Sequence, residues 1–344
     1  MISSMRFGIF VPQGWRHDLV GIDGAHQWAA MNSIVQRADN AMAADGLPAW
    51  ESCWVFDHFH PVPAPTNEAV NEAWTLEAAI AAVTKRVRIG QMCTCMAYRP
   101  PAYLAKVAAT VDIISGGRVD FGIGAGWYEH EWLAYGYGFP RAGVRLGMLD
   151  EGVQIITRMW RDGNSGVFNG EYYQVDGALC HPQPLQHVPG IAEPTIPLWI
   201  AGGGEKVTLR LVAKYAQYAN IAPNPDDFTH KSEILKGHCL DLGRDFSTIT
   251  RSANYNVVIG TPAEREARLA ELEKVFRKYT PERADNEMAG WRNAYLTGTP
   301  SEIVAKLQHM QSLGMTYAIT YFPVITQDTD QVAQFEQEVI PQLR

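Results

Sequence analysis

Asp57-His58 is the pair in this chain with the most direct chemical use. An almost wholly apolar run over residues 53–59 (CWVFDHF) turns abruptly polar at its far end. An imidazole at the mouth of a strand can donate to, or protonate, a bound molecule near neutral pH. The plainer reading is a strand-end histidine held by loop backbone, and the neighbouring Asp57 favours chemistry. His60 adds a metal reading, because alternation along a strand would put the His58 and His60 rings on one face. A metal site needs further ligands at later strand ends. Those ends carry Gly124-Ala125-Gly126, Gly202-Gly203-Gly204, Ala222-Pro223 and Val324, none of which is a ligand side chain. A metal-dependent hydrolase built on His58 and His60 is therefore a remote alternative.

Two glycine segments come next. Gly122-x-Gly124-x-Gly126 departs from the dinucleotide fingerprint Gly-x-Gly-x-x-Gly, because Trp127 stands where the third glycine is needed. Glycines ending a strand still imply close backbone approach, either to a ligand or within a tight turn. Gly202-Gly203-Gly204-Glu205, between an expected strand (197–201) and an expected helix (205–216), has the form of an anion site or of a plain turn. Unhindered amides and the positive end of a helix dipole would converge there. Cys93-x-Cys95 has no second cysteine pair to join it, so two small strand residues is the better account.

The elements that must position these residues are organised around residues 85–131. A β-branched strand (87–89) opens the stretch, and Pro100-Pro101 starts a helix that stops at Ser115-Gly116-Gly117. A second strand (118–123) then runs into Gly124-Ala125-Gly126. In such a βαβ unit residues 92–96 and 124–127 share the ligand-binding edge. The rhythm continues in both directions. Strands are expected at 5–12, 53–59, 197–201, 219–222, 248–259 and 317–324. Helices are expected at 26–44, 71–84, 144–161, 205–216, 228–242, 262–279, 301–313 and 331–342. Residues 167–175 read as a hairpin around Asn169-Gly170, residues 128–140 as a lid or pocket wall, and 262–279 as a charged, solvated helix. Strand–helix alternation without a linker means one α/β barrel or a doubly wound sheet.

Composition excludes several classes. The chain has 344 residues, 47% of them hydrophobic and 19% charged, which is enough apolar material for a large core. A net charge of −8 disfavours nucleic acid as a partner. No apolar run reaches the roughly 20 residues a membrane span needs, and the first residues show no cleavable leader. The five cysteines are an odd number, consistent with reduced thiols and a cytoplasmic location.

Ile89-Gly90, Tyr98-Arg99-Pro100-Pro101-Ala102, Ala105-Lys106, Thr110-Val111-Asp112, Ser115-Gly116-Gly117-Arg118 and Gly122-x-Gly124-x-Gly126-Trp127 together resemble the bacterial-luciferase-like flavin oxidoreductases. The similarity, strongest to the branch that uses the deazaflavin coenzyme F420, runs from about residue 5 to about residue 222. The resemblance implies a (β/α)8 TIM barrel occupying residues 1–344 as a single domain, with insertions after strand 4 and in the C-terminal third. It implies His58 as proton donor or hydride-transfer orienter beside the reactive ring carbon, with Asp57 also on the cofactor. It implies a non-proline cis bond, Met92–Cys93, in a bulge supporting the ring. Gly124, Ala125 and Gly126 would follow the ring and ribityl chain. Trp127 and His130 would reach cofactor or substrate, and Gly202, Gly203 and Gly204 would hold the cofactor phosphate. The activity implied is hydride transfer between F420 and a small organic substrate such as an imine, enone, nitroaromatic or alcohol. An FMN-dependent monooxygenase is the alternative, and a homodimer is the assembly common among similar proteins. In the deazaflavin sugar-phosphate dehydrogenases an acid stands at the Trp127 position, which argues against glucose 6-phosphate as substrate.

Overall fold

The computed structural model describes residues 4–344; residues 1–3, part of the stretch read for a leader, lie outside the described residues. Strands and helices alternate as β1 (Arg6–Phe10), α1 (Gly24–Asn40), β2 (Ser52–Val55), α2 (Ala73–Val83), β3 (Arg88–Gln91), β4 (Thr94–Cys95) and α3 (Pro101–Ser115). β5 (Val119–Gly124), α4 (Glu129–Ala134), α5 (Ala142–Asp162), β6 (Val167–Asn169), β7 (Gln174–Asp176), β8 (Leu198–Ala201), α6 (Thr208–Tyr215), β9 (Tyr218–Ile221) and α7 (Pro225–Asp241) follow. The chain closes with β10 (Thr250–Ile259), α8 (Pro262–Tyr279), α9 (Ala284–Arg292), β11 (Leu296–Gly298), α10 (Pro300–Ser312), β12 (Met315–Tyr321) and α11 (Asp330–Gln334). Tertiary contacts divide it into two compact units.

The first unit comprises residues 4–71, 221–230 and 250–344. Its parallel strands run in the order β11-β10-β12-β1-β2, with Gly8 opposite both Ile319 and Ser52. α1 covers them with Met31, Ile34, Val35 and Ala38, a stripe at helical spacing. α8 and α10 each begin with a complete capping box, Thr261 with Glu264 and Thr299 with Glu302, followed by proline. α8 presents most of its alternating charges to solvent, as expected, and buries one stripe. It buries Arg268, Leu269, Leu272 and Phe276, and Arg268 Nε donates to Asp328 Oδ2 at 2.6 Å. The helix expected over 331–342 is present without interruption but changes its winding: α11 passes into a π-helical turn (Phe335–Val339) and then a 3-10 turn (Ile340–Leu343), where Pro341 supplies no N–H. α9 and β11 have no counterpart in the sequence reading.

The second unit comprises residues 72–220 and 231–249. Its parallel strands run β3-β5-β8-β9, and β4 also pairs with β5. Gly116, left-handed at φ 70°, ends α3 where the sequence places a stop. The hairpin is real but its turn is longer than Asn169-Gly170. Asn169 pairs with Gln174, so residues 170–173 form the loop. The α5 carboxylate of Glu151 decides this, accepting from the amides of Glu171, Tyr172 and Tyr173 at 2.7, 2.9 and 2.9 Å.

Candidate functional site

In the first unit, β2 ends at Val55, so Phe56, Asp57 and His58 lie just past the strand and not within it. Gln13, fully buried at the end of β1, holds this strand end in place. Its Oε1 accepts from the Phe56 amide at 2.7 Å, and its Nε2 donates to Phe56 O at 2.7 Å and to Asn71 O at 2.6 Å. A side-chain amide thus satisfies both backbone groups that precede Asp57-His58. Trp15 stacks on Phe56 (ring centroids 3.8 Å apart) and on His58 (5.2 Å, planes 17° apart), while Phe10 backs Phe56 at 4.1 Å. Asp57 is buried and His58 half-buried. Among the described residues no three His, Cys, Asp or Glu side chains converge as a metal site requires.

The loop after β1 also builds a cavity of about 420 Å³, lined by Trp15, Arg16, Asn256, Tyr295 and Tyr321 among others. Asp18, below it, accepts from the Gly14 amide and from the Tyr321 hydroxyl. Desolvation raises the Asp18 carboxyl to about 6, against the lowering effect of those hydrogen bonds and of the Arg16 charge. Burial lowers the neighbouring His17 to about 4. Neither Gln13 nor Arg16 was singled out from the sequence, where a polar residue following an apolar strand is too common a pattern to mark a site.

In the second unit, β3 and β4 are one strand interrupted by a bulge. Gly90 pairs with Asp120 and Thr94 with Ile123, so four residues' advance on one strand matches three on the other. The Met92–Cys93 peptide bond inside this bulge is cis, as the family resemblance implies. The glycines of β5 make room for it. A β-carbon on Gly122 would meet Gln91 O at 1.9 Å, and one on Gly124 would meet Cys93 Sγ at 2.6 Å. One on Gly126, which is left-handed at φ 76°, would meet Cys95 Sγ at 2.5 Å. The close approach these glycines require is therefore, in the first place, that of the adjacent strand. Cys95 stands opposite Gly124 in the ladder, so the two strand ends share an edge.

Beyond Gly126 the chain presents aromatic surface. Trp127 is 60% exposed and stacks on buried Tyr128 at 5.2 Å. Tyr128 lies 6.0 Å from the exposed His130 ring. Desolvation, with the charge of Glu131, pushes the Tyr128 phenol up to about 12.

Gly202, Gly203 and Gly204 are exposed at the end of β8. The expectation that Glu205 opens a helix is corrected: residues 205–207 form a turn and α6 starts at Thr208, with Val207 supplying no side-chain cap. The Leu209 amide reaches back to Gly204 O at 3.0 Å. Gly202 N is used by Asn220 O, whereas the amides of Gly203 and Gly204 donate no hydrogen bond among the described residues. Lys231 stands beside Gly203, its ammonium on Glu205 Oε1 at 2.5 Å. Arg99 and Arg118 are committed elsewhere. Arg99 pairs with Glu72 at 2.6 Å, and Arg118 caps α2 through Ala81 O and Thr84 O.

The chain belongs to the luciferase-like monooxygenase family, whose model matches residues 5–317. It is 26% identical over 311 residues to an F420-dependent glucose-6-phosphate dehydrogenase of Amycolatopsis mediterranei, covering 86% of this chain and 90% of that one. It is 35% identical over 181 residues to the pyrimidine monooxygenase RutA of a Bradyrhizobium strain, covering 51% and 47% of the two chains. Among solved structures, an F420-dependent secondary alcohol dehydrogenase with an F420-acetone adduct superposes with a TM-score of 0.77 at 20% identity, over 99% and 100% of the two chains. The oxygenating constituent of 3,6-diketocamphane monooxygenase from Pseudomonas putida, in complex with FMN, gives 0.72 at 19% over 99% of each chain. The fold is a (β/α)8 TIM barrel of the luciferase-like kind, and the chain is an oxidoreductase. None of its described helices is long and apolar enough to cross a membrane.

Proposed function

We propose that this protein is an F420-dependent oxidoreductase that transfers a hydride between the deazaflavin and a small organic substrate. The observation that carries the reading is the extent of similarity to the F420-dependent dehydrogenase of Amycolatopsis mediterranei, which spans 86% of this chain and 90% of that protein. When bound, the deazaflavin supplies a two-electron hydride donor or acceptor carbon. The residues of this chain fit such a group. The Met92–Cys93 bulge, with side-chain-free Gly124 behind it, offers a flat backbone platform for a ring. Ala125, Gly126, Trp127 and His130 continue along the same segment toward the ring's substituents. The open amides of Gly203 and Gly204, with Lys231 alongside, suit a phosphate oxygen. His58 donates or accepts the proton that accompanies hydride transfer, with Asp57 beside it, and the Trp15 ring limits its rotation. The substrate classes open to this chemistry are alcohols in the oxidative direction, and imines, enones or nitroaromatics in the reductive one.

The second reading is an FMN-dependent monooxygenase on the same barrel. It is favoured by the 35% identity to RutA, although that match covers about half of each chain. Titrating purified protein with F420 and with FMN separately, by fluorescence quenching, tests both. Micromolar F420 binding without FMN binding supports hydride transfer; preference for FMN moves the assignment to a monooxygenase; binding of neither overturns both.

A further inference from the structure

The cavity lined by Trp15 and Phe56 contains a cation, Arg16, that forms no salt bridge among the described residues, although the Asp18 carboxyl feels its charge. Arg16 rises from the loop after β1 into a cage of aromatic rings. Its guanidinium carbon lies 4.8, 5.6 and 5.7 Å from the ring centroids of Trp15, Tyr321 and Trp291. The contact to Asn256 Oδ1, at 3.5 Å, is long for a hydrogen bond. Arg16 Nε and Trp15 Nε1 are both buried with no hydrogen-bond partner among the described residues. The neighbouring carboxylate does not supply one. Asp18 is committed through Oδ1 to the Gly14 amide and through Oδ2 to the Tyr321 hydroxyl, and no salt bridge joins it to Arg16. The other polar side chains lining this cavity, Asn224, Asn254, Asn256, Asn293, Tyr255, Tyr295 and Tyr321, are neutral, and Glu287 lines the adjoining hollow with Arg16 but forms no salt bridge to it.

A guanidinium carries five N–H donors in a planar fork and stays charged at any physiological pH. Burying part of it without an acceptor is unfavourable. Aromatic faces stabilise the charge but satisfy none of the donors. What completes this cage is an anion with two coplanar oxygens, bound through the fork, on a flat body that lies along the rings of Phe10, Trp15 and Phe56. A volume of about 420 Å³ has room for one aromatic ring and a short conjugated arm.

We propose that Arg16 anchors a carboxylate on a flat, conjugated organic substrate, so that the substrate class of this enzyme is an aryl or unsaturated carboxylate. The proposal rests on the hydride-transfer reading only for the occupant's being a substrate; the anion site stands on its own geometry. Trp15 links the anchor to the chemistry, with Arg16 on its ring and His58 stacked on it. The carboxylate's position therefore sets how the rest of the molecule lies relative to His58.

Calorimetric titration of the intact, cofactor-free protein with cinnamate, with neutral cinnamamide and with inorganic phosphate tests the site. Cinnamate is expected to bind at least about tenfold tighter than the other two. Arg16→Met should bring cinnamate and cinnamamide to within about twofold of each other, and Arg16→Lys, which keeps a charge but loses the fork, should retain part of the preference. Equal binding of cinnamate and cinnamamide, stronger binding of phosphate, no binding of any probe, or a preference that survives Arg16→Met in protein of native circular dichroism would each overturn it. F420 is titrated into the same preparations. Loss of the F420 reading with the cinnamate preference intact, or the reverse, then identifies which of the two conclusions has failed.

Discussion

Cys93 and Gly124 are packed so closely across the β4–β5 ladder that a β-carbon on Gly124 would stand 2.6 Å from Cys93 Sγ. The next nearest atom to that position is Ala201 O at 3.6 Å, an ordinary contact. The obstruction is thus a single sulfur, and it can be removed. Gly124→Ala is expected to cost about 1–3 kcal/mol of stability by overpacking and to displace the bulge. F420 affinity should then fall by about tenfold or more. Cys93→Ala should restore most of both in the double variant, a non-additivity read from urea midpoints and F420 titrations. Simple addition of the two single effects would mean that the sulfur is not what Gly124 accommodates.

His58 follows the end of β2 and is pressed against Trp15. If it handles the proton of the reaction, His58→Gln should lower kcat by on the order of a hundredfold or more, with little change in F420 affinity. Turnover of the variant at the wild-type rate would remove His58 from the mechanism.

Lys231 lies against Gly203 and shares its charge with Glu205. Lys231→Ala should weaken F420 binding by about tenfold. Glu205→Gln, which frees the ammonium, should strengthen it by a few-fold at low ionic strength. An FMN titration run in parallel shows whether the effect follows the phosphate that both cofactors carry. If neither substitution changes affinity, the glycines at the end of β8 are a turn and not an anion site.

His17 and Asp18 are neighbours whose protonation works in opposite senses. Burial holds His17 neutral in the folded chain, down to about 4. The unfolded chain therefore binds more protons at this site between about pH 4 and 6.5, and stability rises with pH over that window. Desolvation raises Asp18 to about 6. The folded chain then binds more protons between about pH 4 and 6, and stability falls with pH there. In the natural protein the two slopes oppose. Asp18→Asn should expose a rise in the urea midpoint from pH 4.5 to 6.5. His17→Asn, a residue tolerated at the left-handed φ of 59° found there, should expose a fall. Parallel profiles for both variants and the parent would show that these groups do not titrate as assigned.

The parts legible in the sequence are those governed by local physics. The Pro100-Pro101 start and Gly116 stop of α3 and the strand–helix alternation follow from backbone sterics and from hydrogen bonds between near neighbours. The parts misread depend on distant partners. The hairpin loop is set by Glu151, some twenty residues upstream. The three-residue β11 is a strand only because Val257 and its neighbours in β10 pair with it.

By itself, then, the sequence determined an alternating strand–helix rhythm and glycines at the strand ends, because chain geometry acts over a few residues. Only the tertiary structure decided that the β5 glycines accommodate the Met92–Cys93 bulge, that Gln13 clamps the strand end before His58, and that Arg16 stands in a ring of aromatics with its Nε unpaired. Those relations join residues tens to hundreds of positions apart. Their energies come from packing and from exclusion of water, neither of which exists until the chain has folded.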